Sequence, residues 1–155
     1  MTLVILLCGV AGAGKTTYAR TLEADGYVRV SYDEEMWALG CDSTDATPDV
    51  LAEADRRVRR RIRSSVASGK PVVLDASLST RAIRDDLREL VRTAGGVPRL
   101  VVVDAPFELL AARVSRRMNQ ADANRHYLDE VALRRYYASF EFPDRDEPHT
   151  RIVTG

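Results

Sequence analysis

The run Gly9-Val10-Ala11-Gly12-Ala13-Gly14-Lys15-Thr16-Thr17 packs three glycines, one lysine and two threonines into nine residues. Glycine lets a backbone curl until successive N–H groups converge, and converging N–H groups hold phosphate oxygens. Gly9 to Thr16 fits G-x-x-x-x-G-K-[ST] in full. In that pattern Lys15 meets the β- and γ-phosphates as a point charge. The Thr16 hydroxyl ligates a Mg²⁺ that bridges them. A helix starting near Lys15 adds its positive end. The expected ligand is ATP with Mg²⁺, held by Gly9, Ala11, Gly12, Ala13, Gly14, Lys15, Thr16 and Thr17. The loop alone does not separate ATP from GTP.

Three aspartates stand at the ends of apolar runs, where a parallel sheet binds its ligands. Asp33 follows "VRVSY". A phosphoryl acceptor needs a base to orient its hydroxyl, and Asp33 is the first candidate for that catalytic and substrate-binding role. Its competing reading is a helix cap, with Ser31 or Asp33 opening a turn through Glu34 and Glu35. Asp75 ends "PVVLD" and Asp104 ends "LVVVD". Asp75 is assigned to the metal or a substrate hydroxyl. Pro106, just after Asp104, favours a capping role there. Sequence leaves open which of the two lies nearer the metal.

Arg113, Arg116 and Arg117 end a helical run before the polar stretch Asn119–Tyr127. Charge spread over a transferring phosphoryl group is offset by a closing arginine, and a lid delivers one. Arg113 and Arg116 are the catalytic candidates, Arg113 also for ATP, in a lid of about residues 113–128. Arg81 and Arg84 follow Asp75, where either could hold an acidic group of the substrate; Arg81 is the one assigned. The run Arg56 to Arg63, "RRVRRRIR", reads as a solvated helix face.

These residues need a frame. Leu3–Cys8, Tyr27–Ser31, Val72–Leu74, Leu100–Val103 and Ile152–Val153 read as strands. Lys15–Ala24, Pro48–Ser68, Thr80–Ala94, Pro106 to about Met118 and Asp129 to about Phe140 read as helices. Ser79 is the expected cap of the third helix. Leu51, Ala54, Val58, Ile62 and Val66 form one apolar stripe. Apolar strands alternating with helices imply a three-layer α/β domain over residues 1–155. Its five-stranded parallel sheet, in order 2-3-1-4-5, carries helices on both faces. "YYASFEFPDRDEP" either walls a base pocket or is a packed connection. His126 and His149 are assigned nothing.

Lys plus Arg and Asp plus Glu balance at 23 each, so no global field recruits nucleic acid or membrane. Two cysteines make no disulfide framework. The apolar start is too short for a signal peptide or a span, so the expectation is a cytoplasmic enzyme.

The stretches "GVAGAGKTT", "SYDEE", "VVLDASLSTRAIRDDL" and "VVVDAPFELLAARVSRR" resemble the small P-loop kinases and AAA-type ATP-binding proteins. Within that group they are similar to phage polynucleotide kinase, chloramphenicol phosphotransferase and zeta toxins. The resemblance covers nearly the whole chain and implies the P-loop NTPase fold. It implies ATP and Mg²⁺ at Lys15 and Thr16, Asp33 as base, Asp75 on the acceptor side, and lid arginines from Arg113–Arg117. Phe140-Glu141-Phe142-Pro143 is similar to an FE-x-P signature of uncharacterised members. The polynucleotide kinases place an arginine three residues after the base; here Met36 stands there, so a small-molecule hydroxyl is the expected acceptor rather than nucleic acid. The sequence ends just past the last strand, so base selectivity is expected to be weak or built elsewhere. The alternatives are a 5′-hydroxyl polynucleotide kinase and a nucleotide-binding switch.

Overall fold

The computed structural model describes residues 1–42, 45–117 and 130–155. Most of the expected lid, the side chain of Arg117, the Asp129 cap and His126 lie outside the described residues. The strands are β1 (Thr2–Cys8), β2 (Val28–Ser31), β3 (Val72–Asp75), β4 (Gly96–Asp104) and β5 (Thr150–Val153). They form one parallel sheet, as the strand–helix alternation implies, in the expected order β2-β3-β1-β4-β5. The helices are α1 (Lys15–Ala24), α2 (Tyr32–Ala38), α3 (Pro48–Ala67), α4 (Arg81–Thr93), α5 (Phe107–Arg117) and α6 (Glu130–Ser139). None of them is long and apolar enough to cross a membrane.

β1 is the middle strand, and Val4 to Cys8 are buried along it. Helices on both faces force that continuous apolar run, because no side of the strand meets water. Ala54, Val58, Ile62 and Val66 bury one stripe of α3, whereas Leu51 is 48% exposed. Leu51 sits in the first turn of α3 and lines a cavity instead of the core.

Two local readings are corrected, and one open alternative is resolved. The cap of α4 is Thr80, not Ser79: its backbone is extended and its hydroxyl accepts the Ile83 N–H at 3.2 Å. Asp33 does not cap; Ser31 does, accepting from the Glu34 N–H at 3.2 Å, which makes Tyr32–Ala38 a helix rather than a turn. β4 begins at Gly96, before the expected Leu100. Its opening residues pair with β1 on one side only, since β5 joins from Val101, and an edge of that kind accommodates Pro98.

"YYASFEFP" is a packed connection. The Phe140 and Phe142 rings lie 4.5 Å apart, Tyr137 sits 5.5 Å from Phe142, and Phe107 of α5 meets Tyr137 edge-on at 6.0 Å. The Glu141 N–H donates to Ser79 O at 2.9 Å, so this segment holds the turn before α4. The arginine run on α3 is ion-paired along its surface: Arg56 and Arg57 to Glu53, and Arg61 to Glu35.

A Cβ on Gly9 would stand 2.2 Å from Val103 O, a backbone atom of the neighbouring strand. Gly9→Ala must therefore push β1 and β4 apart at the site end. We expect a loss of about 1–3 kcal/mol, read by thermal unfolding.

Candidate active site

β1 ends at Cys8 and α1 starts at Lys15, so the six residues between must reverse direction within one turn. Gly12 (φ +84°) and Gly14 (φ +102°) adopt left-handed backbone that side chains disfavour. Gly14 is the N-cap of α1, and no side chain caps that end. No cap side chain therefore competes for the first N–H groups of the helix. Lys15 Nζ folds back over the loop, donating to Gly9 O at 2.8 Å and Val10 O at 2.9 Å. Small residues, an uncapped helix start and one ammonium make a donor set that fits a polyphosphate.

The Thr16 hydroxyl donates to Asp75 Oδ2 at 2.8 Å. The same oxygen accepts from Arg29 Nη2 at 3.0 Å and Nε at 3.3 Å. The hydroxyl hydrogen is thus aimed at Asp75, which leaves the Thr16 lone pairs for a cation. Asp104 is engaged elsewhere: Oδ1 accepts the Ala105 N–H at 2.8 Å and Oδ2 pairs with Arg151 at 2.6 Å. Of the two strand-end acids, Asp75 is the one joined to Thr16, because α1 packs over β3 and β2. Among the described residues no group of three or more His, Cys, Asp or Glu is placed to hold a metal. The donors present suit a Mg²⁺ carried mainly by phosphates and water.

The loop separates two cavities. The first, about 490 Å³, is lined by Lys15, Thr16, Asp33 and Asp75 together with faces of α2, α3 and α4. Asp33 is half-buried in the first turn of α2. The second, about 430 Å³, is lined by Gly14, Thr17, Tyr18, Arg113, Arg116 and Thr154. Arg113 Nη1 donates to Gly12 O at 2.9 Å and Thr154 Oγ1 at 3.0 Å, and Thr154 donates on to Ala13 O at 2.7 Å. Arg116 is exposed on the rim.

The structure does not bring Arg81 or Arg84 to Lys15. Arg81 lies in a separate cleft with Asp85 and Glu147. Arg84 is fully buried: Nε and Nη2 donate to Glu147 at 2.7 and 2.9 Å, and Nη1 donates to Leu78 O at 2.8 Å. Arg88 joins the same carboxylate at 2.6 Å. Burial raises the affinity of Glu147 for a proton, but hydrogen bonds from Arg84 and Arg88 outweigh it and bring the pKa down to about 2. Leu78 itself holds a left-handed backbone (φ +51°), and its carbonyl accepts from both Arg84 and Cys8. Burial pushes the Cys8 thiol up to about 11, so it stays protonated and inert.

Sequence reasoning missed Arg29, Thr154 and Glu147, and it assigned no site role to Tyr32, Asp55, Arg59 and Asp86 of the first cavity. Arg29 had a signal: it shares a face with Ser31, whose register partner is Asp75. Glu147 had none, standing among Asp144 and Asp146 in a charged loop.

A putative kinase from Chloroflexus aurantiacus j-10-fl superposes with a TM-score of 0.78 at 19% identity, over 98% of this chain and 88% of that one. A gluconokinase from Sinorhizobium meliloti 1021 gives 0.65 at 23% identity, over 97% and 81%. A chain of the Pnkp1/Rnl/Hen1 RNA repair complex gives 0.77 at 22% identity over 89% of this chain; the protein spans 43% of that chain's length. At these identities the likeness establishes the shared P-loop kinase fold. No curated protein sequence matches. A family model described as an AAA domain matches residues 4–143, taking in the glycine loop, Asp33, Asp75 and both cavities' principal walls, and the chain belongs to that family.

Proposed function

We propose that the protein is an ATP-dependent phosphotransferase that moves the γ-phosphate to an alcohol hydroxyl of a small molecule. One observation carries the reading. The uncapped, glycine-built start of α1 lies between a cavity holding a carboxylate base candidate and a second cavity holding two arginines. Bound MgATP supplies the transferable phosphoryl group and a cation that neutralises developing charge. Lys15 turns from its loop carbonyls to the phosphates. Thr16, oriented by Asp75, offers oxygen lone pairs to the cation. Asp33 accepts the proton of the acceptor hydroxyl as that oxygen bonds to the γ-phosphorus and the bridging P–O bond to the β-phosphate breaks. Arg113 and Arg116 stand on the nucleoside side, where they offset charge on the phosphates. The acceptor occupies the first cavity and the nucleoside the second. One kinase domain over residues 1–155, with two free thiols, suits the cytoplasm.

Calorimetry with MgATP tests the phosphate site. Lys15→Ala should weaken binding by about ten- to a hundredfold, the worth of a charged hydrogen-bonding contact. Undiminished affinity and turnover would place the polyphosphate elsewhere. A labelled γ-phosphate screen over sugars, gluconate, amino alcohols, nucleosides and 5′-hydroxyl oligonucleotides then tests the reaction. Label on an oligonucleotide, with transfer falling steeply as salt rises, would replace the small-molecule acceptor by nucleic acid.

A further inference from the structure

Leu51, Asp55 and Arg59 recur every four residues along α3, so they follow one another on one face, and that face lines the first cavity. α4 supplies Ile83 and Asp86, and α2 supplies Tyr32. These polar groups form one chain. The Tyr32 hydroxyl donates to Asp55 Oδ1 at 2.9 Å, Arg59 Nε donates to Asp55 Oδ2 at 2.8 Å, and Arg59 Nη2 bonds Asp86 Oδ2. Burial and the neighbouring Asp55 push the Tyr32 phenol upward, which keeps it a donor.

The charge of this wall is one-sided. Among the described residues, Lys15 and Arg59 are the cations lining the cavity, against Asp33, Asp55, Asp75 and Asp86. Lys15 and Asp75 belong to the phosphate end. Among the described residues the acceptor end therefore holds Asp33, Asp55 and Asp86 with one arginine, and that arginine is already clasped by Asp55 and Asp86. Turning Arg59 toward an anionic substrate would strip both carboxylates of their cationic partner. The arginines that could have served an acidic substrate point away: Arg84 is buried against Glu147, and Arg81 lines another cleft. Leu51 and Ile83 meanwhile stay 48% and 45% exposed at the cavity, a cost that a ligand's apolar face would remove.

Resting on the kinase reading above, we infer that the acceptor is an amphipathic alcohol carrying no anionic group, either neutral or cationic. Its hydroxyl points to Asp33, its apolar face covers Leu51 and Ile83, and any charge it bears is positive and faces Asp55 and Asp86. An anion there meets Asp55 and Asp86 with one arginine between them, a net negative charge on a half-exposed wall where water screens only part of the repulsion.

The test uses three alcohols built on one arylalkyl diol frame, ending in a primary amine, a methyl ester or a carboxylate. Ligand-observed NMR titrations on the full chain with a non-hydrolysable MgATP analogue give affinities without needing turnover. The amine and the ester should each bind at least about tenfold tighter than the carboxylate, the ratio expected of one close, partly desolvated charge pair. Asp86→Lys should pull that ratio at least about threefold toward the carboxylate. Ile83→Ala, which leaves the charges alone, should weaken amine and ester alike by about fivefold. The inference is overturned if the carboxylate binds as tightly as either partner, if no member binds in the millimolar range, or if both variants leave every ratio and affinity unchanged. Binding in the expected order without γ-phosphate transfer would count against the kinase reading and leave this selectivity standing.

Discussion

An Asp33→Asn variant should lose about a hundred- to ten-thousandfold in kcat while binding MgATP within about threefold of the original chain, since general-base catalysis contributes on that order. The split follows from position. Asp33 is on α2 and faces the acceptor cavity, while the phosphate donors lie on the loop and α1. Asparagine keeps the shape of the side chain and removes its capacity to take a proton. KM for the alcohol should move little, because the hydrogen bond to the hydroxyl survives. Single-turnover transfer of labelled phosphate, with calorimetry in parallel, separates the two quantities. Undiminished turnover would remove Asp33 from the reaction. Loss of turnover together with loss of ATP affinity would make it structural.

The second large effect lies at Glu147. Replacing it by glutamine leaves Arg84 in a fully buried position without its counter-charge, which costs about 3–5 kcal/mol for a broken buried pair. In a chain of this size the melting temperature should drop by about 10 °C. Replacing Arg84 and Glu147 together, as Arg84→Met with Glu147→Leu, should cost less than Glu147→Gln alone, because Arg88 keeps Asp85 as its partner and no buried charge is left stranded. The sign of the pH dependence is fixed by the depressed pKa. The folded carboxyl titrates near 2 against an ordinary 4.5, so its contribution is complete above pH 4.5 and is lost as pH falls toward 2. About 3 kcal/mol of stability should disappear across that interval, and much less in the double variant. Chemical denaturation at several pH values reads both. The consequence reaches the site as well: Arg84 holds Leu78 O, and Leu78 lines the acceptor cavity in a strained backbone state.

How much of this was legible in the sequence depends on what kind of signal each feature leaves. The sheet was legible in direction because apolar runs separated by helical periodicities require parallel strands, and its order went with the P-loop fold that the glycine loop marks. The loop was legible because its chemistry depends on local residue types at fixed spacing. The Asp75 and Asp104 alternatives stayed open because both strands flank β1. Only the lean of α1 over β3 separates them, and that is a packing outcome. Arg84 was misread for the same reason. It lies on the helix after Asp75, but its face turns inward to a glutamate sixty-three positions away. Leu51 failed in the opposite direction, continuing a core stripe by spacing while standing over a cavity.

The glycine loop and the first turn of α1 also form a partition between two compartments that share no other wall among the described residues. Helices α2, α3 and α4 shape one side, while α5 and the end of the sheet shape the other. On the proposed reading, drift at Leu51, Ile83 or Asp86 therefore retargets the acceptor without touching the residues that hold the nucleotide. A library varied at those three positions should yield altered alcohol preference with affinity for MgATP unchanged.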